Sequence, residues 1–238
     1  GGTIGVRTLS FTSGVLTPSV SANVTVTAGP ASKLSFTALL PTTAQSGVPF
    51  VPQPVLQLRD ASDNAVTTAL VNVIVSIATG NPTLGGTLTA ITDVSGTATF
   101  TNLVLTGTPG DRTLSFTAGA LTVTSGTITM TAGPASNLSI TTQPQSPVQS
   151  GVSFSPQPVI QLRDAANNPV STPGVVITAV LSTGAPALGG IFTATTNAAG
   201  VATFTNLSIT GVIGVRTIIF TAPSFTSVTS NSIDVTAG

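Results

Sequence analysis

The chain has 238 residues and a net charge of zero, with six basic and six acidic side chains and no Cys, His, Trp or Tyr. Without Cys or His it can build neither a Ser-His-Asp nor a Cys-His arrangement, nor a thiolate metal site or a disulfide, so we expect no enzyme and no cofactor. Scattered basic residues and the lack of an apolar run near ~18 residues also predict no nucleic-acid partner and no membrane span in this segment.

Nearly the same sequence occurs three times at a fixed spacing. The run TAGPAS at residues 27–32 returns at residues 131–136, and TAG at residues 236–238 begins a further copy. A period of about 100 residues matches one self-contained β-sandwich. We therefore predict the C-terminal strands of a preceding repeat in residues 1–29 and complete repeats in residues 30–133 and 134–238. Since a few strands cannot bury a core alone, we also expect the protein to continue upstream.

The first complete repeat shows the alternation of apolar and polar residues that is typical of half-buried strands. Three prolines in residues 47–54 would remove donors from a β-ladder, which predicts an edge segment or loop there. In residues 71–77, Val71, Val73, Val75 and Ile77 would share one face. The predicted strands cover residues 33–37, 54–59, 71–77, 87–91, 97–100, 103–105, 112–117 and 121–131.

The second complete repeat follows the same pattern, and no segment has a helical 3.6-residue period of useful length. About seven strands in ~100 residues, separated by Gly, Pro, Asn and Asp turns, predict a two-sheet antiparallel sandwich. The large core side chains are expected to be Phe36, Phe100 and Phe116, with Ile140, Phe204 and Phe220 at the matching positions.

Two motifs recur in both complete repeats. Asp-x-x-x-Asn-x-Val lies at residues 60–66 and 164–170, and Gly-x-Ala-Thr-Phe lies at residues 96–100 and 200–204, after a valine-rich strand. As a set they resemble the bacterial immunoglobulin-like repeats of invasin- and intimin-type surface proteins. The resemblance implies an all-β fold of tandem immunoglobulin-like antiparallel β-sandwiches in a head-to-tail array. It also implies rigid spacers in large extracellular adhesins, and it carries over no binding site.

The loop that contains Asp60, Asp63 and Asn64 is the best candidate for a metal site. Calcium prefers six to eight oxygen ligands, usually with several carboxylates. The second repeat replaces Asp63 with Asn167 and keeps Asp164 as its one carboxylate there. A metal site would be expected to keep its charge between copies, so we favour a tight turn, in which Asp and Asn bond their own backbone.

Arginines also recur, with Arg7, Arg112 and Arg216 before one strand and Arg59 and Arg163 at the end of another. They could form a repeated anion-binding stripe, or they could pair with Asp60, Asp111 and Asp164 or with backbone carbonyls. Single arginines one domain apart make no charged patch, so we favour the structural interpretation.

The joint between repeats is short and contains Gly29, Pro30, Gly133 and Pro134. A proline-stiffened connection of this length leaves little hinge freedom, unlike a Gly/Ser linker. We therefore expect a semi-rigid spacer in a long extracellular fibre or surface stalk. Its expected partners are neighbouring repeats of the same chain and identical chains in a filament. The alternative is an adhesive module that binds a glycan or receptor through loops, although sugar-stacking Trp and Tyr are absent.

Overall fold

The computed structural model of the protein describes residues 2–182, 187–211 and 213–238. Gly1, where the first predicted segment begins, lies outside the described residues. Within these ranges the chain forms β-strands, turns and irregular segments and no helix. None of the described residues therefore forms a helix long and apolar enough to cross a membrane. The predicted all-β fold is confirmed.

Three groups of strands follow the three copies in the sequence. The strands before residue 30 are β1 (Gly5–Arg7), β2 (Ser10–Phe11), β3 (Ser19–Val20) and β4 (Val24–Val26). Those of residues 30–133 are β5 (Lys33–Ala38), β6 (Thr43–Gln45), β7 (Val55–Arg59), β8 (Asn72–Thr79), β9 (Thr83–Gly85), β10 (Thr89–Ile91), β11 (Thr97–Thr99), β12 (Val104–Thr106), β13 (Gly110–Ala118), β14 (Leu121–Thr124) and β15 (Ile128–Thr131). The remaining strands are β16 (Asn137–Thr142), β17 (Val148–Gln149), β18 (Val159–Arg163), β19 (Val176–Leu181), β20 (Ala187–Gly189), β21 (Thr193–Thr195), β22 (Val201–Thr203), β23 (Ser208–Thr210), β24 (Gly214–Arg216), β25 (Ile218–Thr221), β26 (Val228–Thr229) and β27 (Ile233–Thr236).

The chain divides into two compact units. The first unit comprises the described residues up to Ala44 together with Val48–Thr106 and Gly110–Met130. The second unit comprises Gln45–Gly47, Gly107–Pro109 and the described residues from Thr131 onward. Two short segments from the middle of the predicted 30–133 repeat therefore belong to the second unit. The division into segments 1–29, 30–133 and 134–238 stays a prediction from the sequence repeat.

The first unit is a sandwich of two main sheets around one buried cluster. The smaller sheet has the order β11–β7–β5, and the larger has the order β10–β8–β13–β15–β6, with β14 paired to β13. Strand β8 shows the expected alternation, because Val73 and Val75 are buried while Ile74 is exposed. The predicted rings lie in this core, where Phe36 and Phe100 each make an edge-on contact with Phe116 at a centroid distance of 5.2 Å.

The second unit repeats this plan. Its sheets have the orders β16–β18–β22, β21–β19–β25–β26, β17–β27–β24 and β20–β23. Strands β17 and β27 run parallel, and the other named pairs are antiparallel. Phe204 and Phe220 are fully buried with ring centroids 5.2 Å apart, and Ile140 packs against the same cluster. The sandwich prediction and the core positions predicted for this repeat are confirmed.

The predicted strand over residues 121–131 is wrong, because the structure divides it into β14 and β15. Ser125 causes the break. Its amide donates to the Leu114 carbonyl at 2.8 Å, and its hydroxyl accepts from the Leu114 amide at 2.9 Å. A side chain thus replaces a backbone group in the ladder with β13, and the chain bends there. The same pair of bonds recurs between Ser230 and Ile218 and between Ser21 and Leu9.

The strands before residue 30 expose side chains that the complete repeat buries. Strand β1 pairs with β4, and β2 pairs with β3. Leu9, Phe11, Val24 and Val26 are 54%, 60%, 45% and 37% exposed. The matching positions of the complete repeat are at most 1% exposed and are occupied by Leu114, Phe116, Ile128 and Met130.

Candidate functional site

Each predicted joint lies beside a carboxylate that follows a buried strand. In the first unit the Gly29 amide donates to Asp60 Oδ2 at 2.9 Å. In the second unit the Gly133 amide donates to Asp164 Oδ2 at 2.7 Å. Pro30 and Pro134 follow these glycines and are exposed, so their contribution is the restriction of φ and not packing. The joint is therefore held to the sandwich by a hydrogen bond to a side chain.

In the first unit the two oxygens of Asp60 accept different backbone amides, and the Asn64 side-chain nitrogen also lies 3.3 Å from Oδ1. Oδ1 accepts the amides of Ser62 and Asn64, both at 2.9 Å, which closes the tight turn after β7. Oδ2 accepts the Gly29 amide and the Asn64 side-chain nitrogen, the latter at 3.0 Å. We call Asp60 with Asn64 the first clamp. One oxygen forms the turn, and the other holds the joint.

The second unit has the same arrangement one period later. Asp164 Oδ1 accepts the amides of Ala166 at 2.9 Å and Asn168 at 2.8 Å. Asp164 Oδ2 accepts the Gly133 amide and the Asn168 side-chain nitrogen at 2.8 Å. We call Asp164 with Asn168 the second clamp. Because both carboxylate oxygens are used in both copies, the arrangement is a repeated feature of the fold.

These hydrogen bonds favour the ionised carboxylates. The side-chain bond from Asn64, followed by the amide bond from Gly29, lowers the pKa of Asp60 to about 2. At Asp164 burial raises the pKa, but the bonds from the Asn168 side chain and from the amides of Gly133, Asn168 and Ala166 outweigh it. The pKa of Asp164 is therefore also lowered. Both clamps work with a charged acceptor, which makes stronger hydrogen bonds than a neutral one.

Asn168 connects the second clamp to another segment of the second unit. Its side-chain nitrogen donates to the Gly107 carbonyl at 2.8 Å, and the Gly107 amide donates to the Ser46 hydroxyl at 3.1 Å. The Ser46 amide in turn donates to the Thr131 carbonyl at 3.0 Å. The two short segments that join the second unit are thus bonded to the strand end that leads into Gly133. In the first unit, Asn64 donates in the same way to the Gly2 carbonyl at 3.2 Å.

Gly133 has no room for a side chain. A Cβ atom built there would lie 2.2 Å from the Ser46 carbonyl oxygen, within the same unit. A Cβ atom on Gly29 would meet nothing nearer than Asp60, at 3.8 Å. Close packing therefore requires glycine at residue 133.

The weak metal candidates Asp60 and Asp63 point to different partners. Asp60 accepts N–H donors on both oxygens, as described above. Asp63 lies in the left-handed region at φ 70° and its carboxylate contacts the Lys33 ammonium at 3.5 Å, with both side chains largely exposed. Among the described residues, no three His, Cys, Asp or Glu side chains come close enough to hold a metal ion.

The repeated arginines bond backbone carbonyls, one of the two structural alternatives. Arg59 donates to the Asp63 carbonyl at 2.7 Å, and Arg163 donates to the Asn167 carbonyl at 2.7 Å. Arg112 donates to the Asp111 carbonyl at 2.8 Å. No ion pair joins an arginine to Asp60, Asp111 or Asp164 in the described part of the chain. The guanidinium groups therefore stabilise turns and strand ends.

Sequence reasoning missed several polar residues that connect segments. Gln57 is buried in the middle of β7, and its side-chain nitrogen reaches the carbonyls of Leu58, Ser95 and Gly96 at 3.0–3.1 Å. Gln161 does the same in β18. The sequence signal for both residues is a glutamine that recurs between two large aliphatic residues in the middle of a strand. Ser46 and Ser150 also recur at the spacing of the repeat. Their hydroxyl groups accept the amides of Gly107 and Gly211, respectively.

The chain matches no protein-family model and no curated protein. Solved structures similar to it include the D0–D1 domain of intimin, at 15% identity and a TM-score of 0.33, covering 86% of this chain and 98% of that one. The adhesin InvE of Yersinia pseudotuberculosis has 18% identity and a TM-score of 0.34, covering 86% of this chain and 59% of that one. Domains 4–9 of the surface layer protein SbsC have 17% identity and a TM-score of 0.32, covering 98% and 35%.

These structures concern the fold only. They include domains of the intimin and invasin type, which the two sequence motifs resemble. A β-glycosidase of Bacteroides vulgatus is also among them, at 12% identity and a TM-score of 0.34, covering 85% of this chain and 24% of that one. With TM-scores of 0.32–0.34, these likenesses carry no argument about function. The class of protein is defined by the chain itself, as immunoglobulin-like β-sandwiches in tandem copies.

Proposed function

We propose that this segment is a structural part of a long extracellular fibre or surface stalk, in which each repeat is a semi-rigid spacer. The observation that supports the proposal is the recurrence of the joint hydrogen bonds, from Gly29 to Asp60 and from Gly133 to Asp164. A spacer needs joints with the same local structure in every copy. A chain of independent binding domains has no such need.

The surface chemistry supports the same function. Charged residues make up 5% of the chain, so solubility outside the core depends on Thr and Ser hydroxyl groups. A chain without cysteine depends on no redox compartment, and an extracellular or cell-surface location agrees with the proposal. The adhesive alternative has less support, because a chain without Trp and Tyr lacks the side chains that usually stack on sugars.

Small-angle X-ray scattering of the whole chain tests the spacer function. The variant Ala132→Gly with Pro134→Ser loosens the joint and keeps Gly133. The control Ser171→Gly with Pro173→Ser makes the same kinds of change in an exposed loop of the second unit. We expect the joint variant to broaden the distribution of interatomic distances while both units unfold at unchanged temperature. The proposal is wrong if the joint variant and the control scatter like the unchanged chain.

Self-association between identical chains is a further part of the proposal. Low charge leaves little electrostatic resistance to contact between chains, and the hydroxyl-rich strand faces are uncharged. Sedimentation velocity over a wide concentration range tests it on the unchanged chain. We expect reversible association at high concentration. A strictly monomeric profile would limit the function to that of an isolated stalk.

A further inference from the structure

Another turn in this chain shows that one oxygen is enough to close a turn of the kind found in the clamps. In the first unit Asp93 Oδ1 accepts the amides of Ser95 at 2.8 Å and Thr97 at 3.0 Å. In the second unit the matching residue is Asn197. Its Oδ1 accepts the amides of Ala199 at 2.9 Å and Val201 at 3.1 Å. Asparagine therefore replaces aspartate at this turn without loss of either backbone bond.

The clamps differ from this turn because they use the second oxygen. At Asp164, Oδ2 faces two donors, the Gly133 amide and the Asn168 side-chain nitrogen. An asparagine in the orientation seen at Asn197 would keep the turn and present its own NH₂ group to these two donors. Only a carboxylate accepts on both sides. The same reasoning applies to Asp60, where Gly29 and Asn64 donate to Oδ2.

We propose that Asp164 and Asp60 are the positioning residues of the joints, and that the second carboxylate oxygen fastens each joint to its sandwich. This inference rests on the proposed function, and it assigns to two carboxylates the holding role that the sequence analysis expected of the joint prolines. The exposed Pro30 and Pro134 limit the backbone, and the carboxylates hold it in place. Asn168 links Asp164 to a further loop, because its side-chain nitrogen donates both to Asp164 Oδ2 and to the Gly107 carbonyl.

Amide hydrogen exchange of the whole chain, measured residue by residue with NMR, separates the two oxygens. In Asp164→Asn we expect the Gly133 amide to exchange at least about tenfold faster, because it loses a hydrogen bond to a charged group. The amides of Ala166 and Asn168, which bond Oδ1, should keep their exchange rates. The control Asp93→Asn makes the same chemical change at a one-oxygen turn and should alter none of these amides. Asp60→Asn should accelerate exchange at Gly29 in the same way.

Two results would overturn the inference. The first is an unchanged Gly133 rate in Asp164→Asn, and the second is an equal acceleration at Gly133, Ala166 and Asn168, which would indicate a purely structural turn. If Asp164→Asn prevents folding of the second unit, Asp60→Asn gives the same test in the first. The scattering of Asp164→Asn tests the function separately. Fast exchange at Gly133 with unchanged scattering would support the clamp and count against the spacer.

Discussion

The first and second clamps have the same residues and the same hydrogen bonds but different surroundings. Gly29 is exposed, whereas Gly133 is buried. Asn64 is half-buried, whereas Asn168 is 4% exposed. The side chain of Asn168 donates to the carbonyl of Gly107, whose amide donates to the Ser46 hydroxyl.

This difference distinguishes the hydrogen bonds that the motif makes from the burial that neighbouring segments add to them. The Asp-x-x-x-Asn motif makes the same four bonds in both units. Three of them belong to the local turn, and the fourth comes from the glycine amide 31 residues earlier. The burial of those bonds depends on additional segments, which at the second clamp are Gln45–Gly47 and Gly107–Pro109 of the same unit. We therefore expect equal geometry in the two clamps and unequal energetic effects when they are altered.

The largest difference should come from adding a methyl group at the two glycines. Gly133→Ala places Cβ against the Ser46 carbonyl, so the backbone must shift, and the free energy of unfolding of the second unit should fall by about 1–3 kcal/mol. Gly29→Ala should change the stability of the first unit by less than about 0.5 kcal/mol. Chemical denaturation followed by NMR measures the free energy of unfolding of each unit. Gly126→Ala, where nothing lies within 4 Å, is the control, and equal effects at Gly29 and Gly133 would contradict the comparison.

Removing the carboxamides should give the next largest difference. Asn168→Ala leaves the half-buried Gly107 carbonyl and one Asp164 oxygen without this donor, and we expect a loss of about 1–3 kcal/mol in the second unit. Asn64→Ala should have a smaller effect, because water reaches the half-buried first clamp. The same denaturation experiment measures both, with the exposed Asn72→Ala as a control for an amide removed from a strand. A larger loss for Asn64→Ala would show that burial does not determine the energetic effect.

Acid should weaken both clamps. The pKa of Asp60 is lowered from 3.8 to about 2, and that of Asp164 is lowered too. A carboxyl whose pKa is lower in the folded state stabilises the fold above its unfolded pKa, and this stabilisation is lost as the pH falls through the folded value. We therefore expect stability to decline between about pH 4 and about pH 2. Titration of the carboxyl carbons by NMR measures the two folded-state pKa values from which this loss of stability follows. An Asp60 pKa at its ordinary value would contradict the hydrogen-bond account.

The smallest expected effect comes from Asp63, one of two positions between the clamp Asp and Asn at which the copies differ. Asp63 pairs with Lys33 on the surface, and the matching residue of the second clamp is Asn167, also in the left-handed region at φ 66°. Asp63→Asn should change the stability by less than about 0.5 kcal/mol, because exposed ion pairs contribute little. Thermal unfolding with and without added Ca²⁺ measures it. A stabilisation by Ca²⁺ that disappears in Asp63→Asn would support the metal interpretation.

Much of the fold could be predicted because alternation and repeats are local properties of a sequence. Val73, Val75, Phe100 and Phe116 are buried as their period-two pattern predicts. The break at Ser125 could not be predicted in this way, since residues 121–131 have a continuous strand pattern. The bend depends on a hydroxyl group that reaches the Leu114 amide of another strand.

The candidate site also combines features that could be predicted from the sequence with contacts that could not. The joint glycines, the turn at Asp60 and Asp164 and their spacing could be predicted, because each depends on neighbouring residues or on the period of the repeat. The contacts of the second carboxylate oxygen with the joint amide, of Gly133 with Ser46 and of Asn168 with Gly107 were visible only in the folded chain. Those partners are 31, 87 and 61 residues away in sequence. Contacts over such distances exist only after both sheets have folded around a core, so no local pattern encodes them.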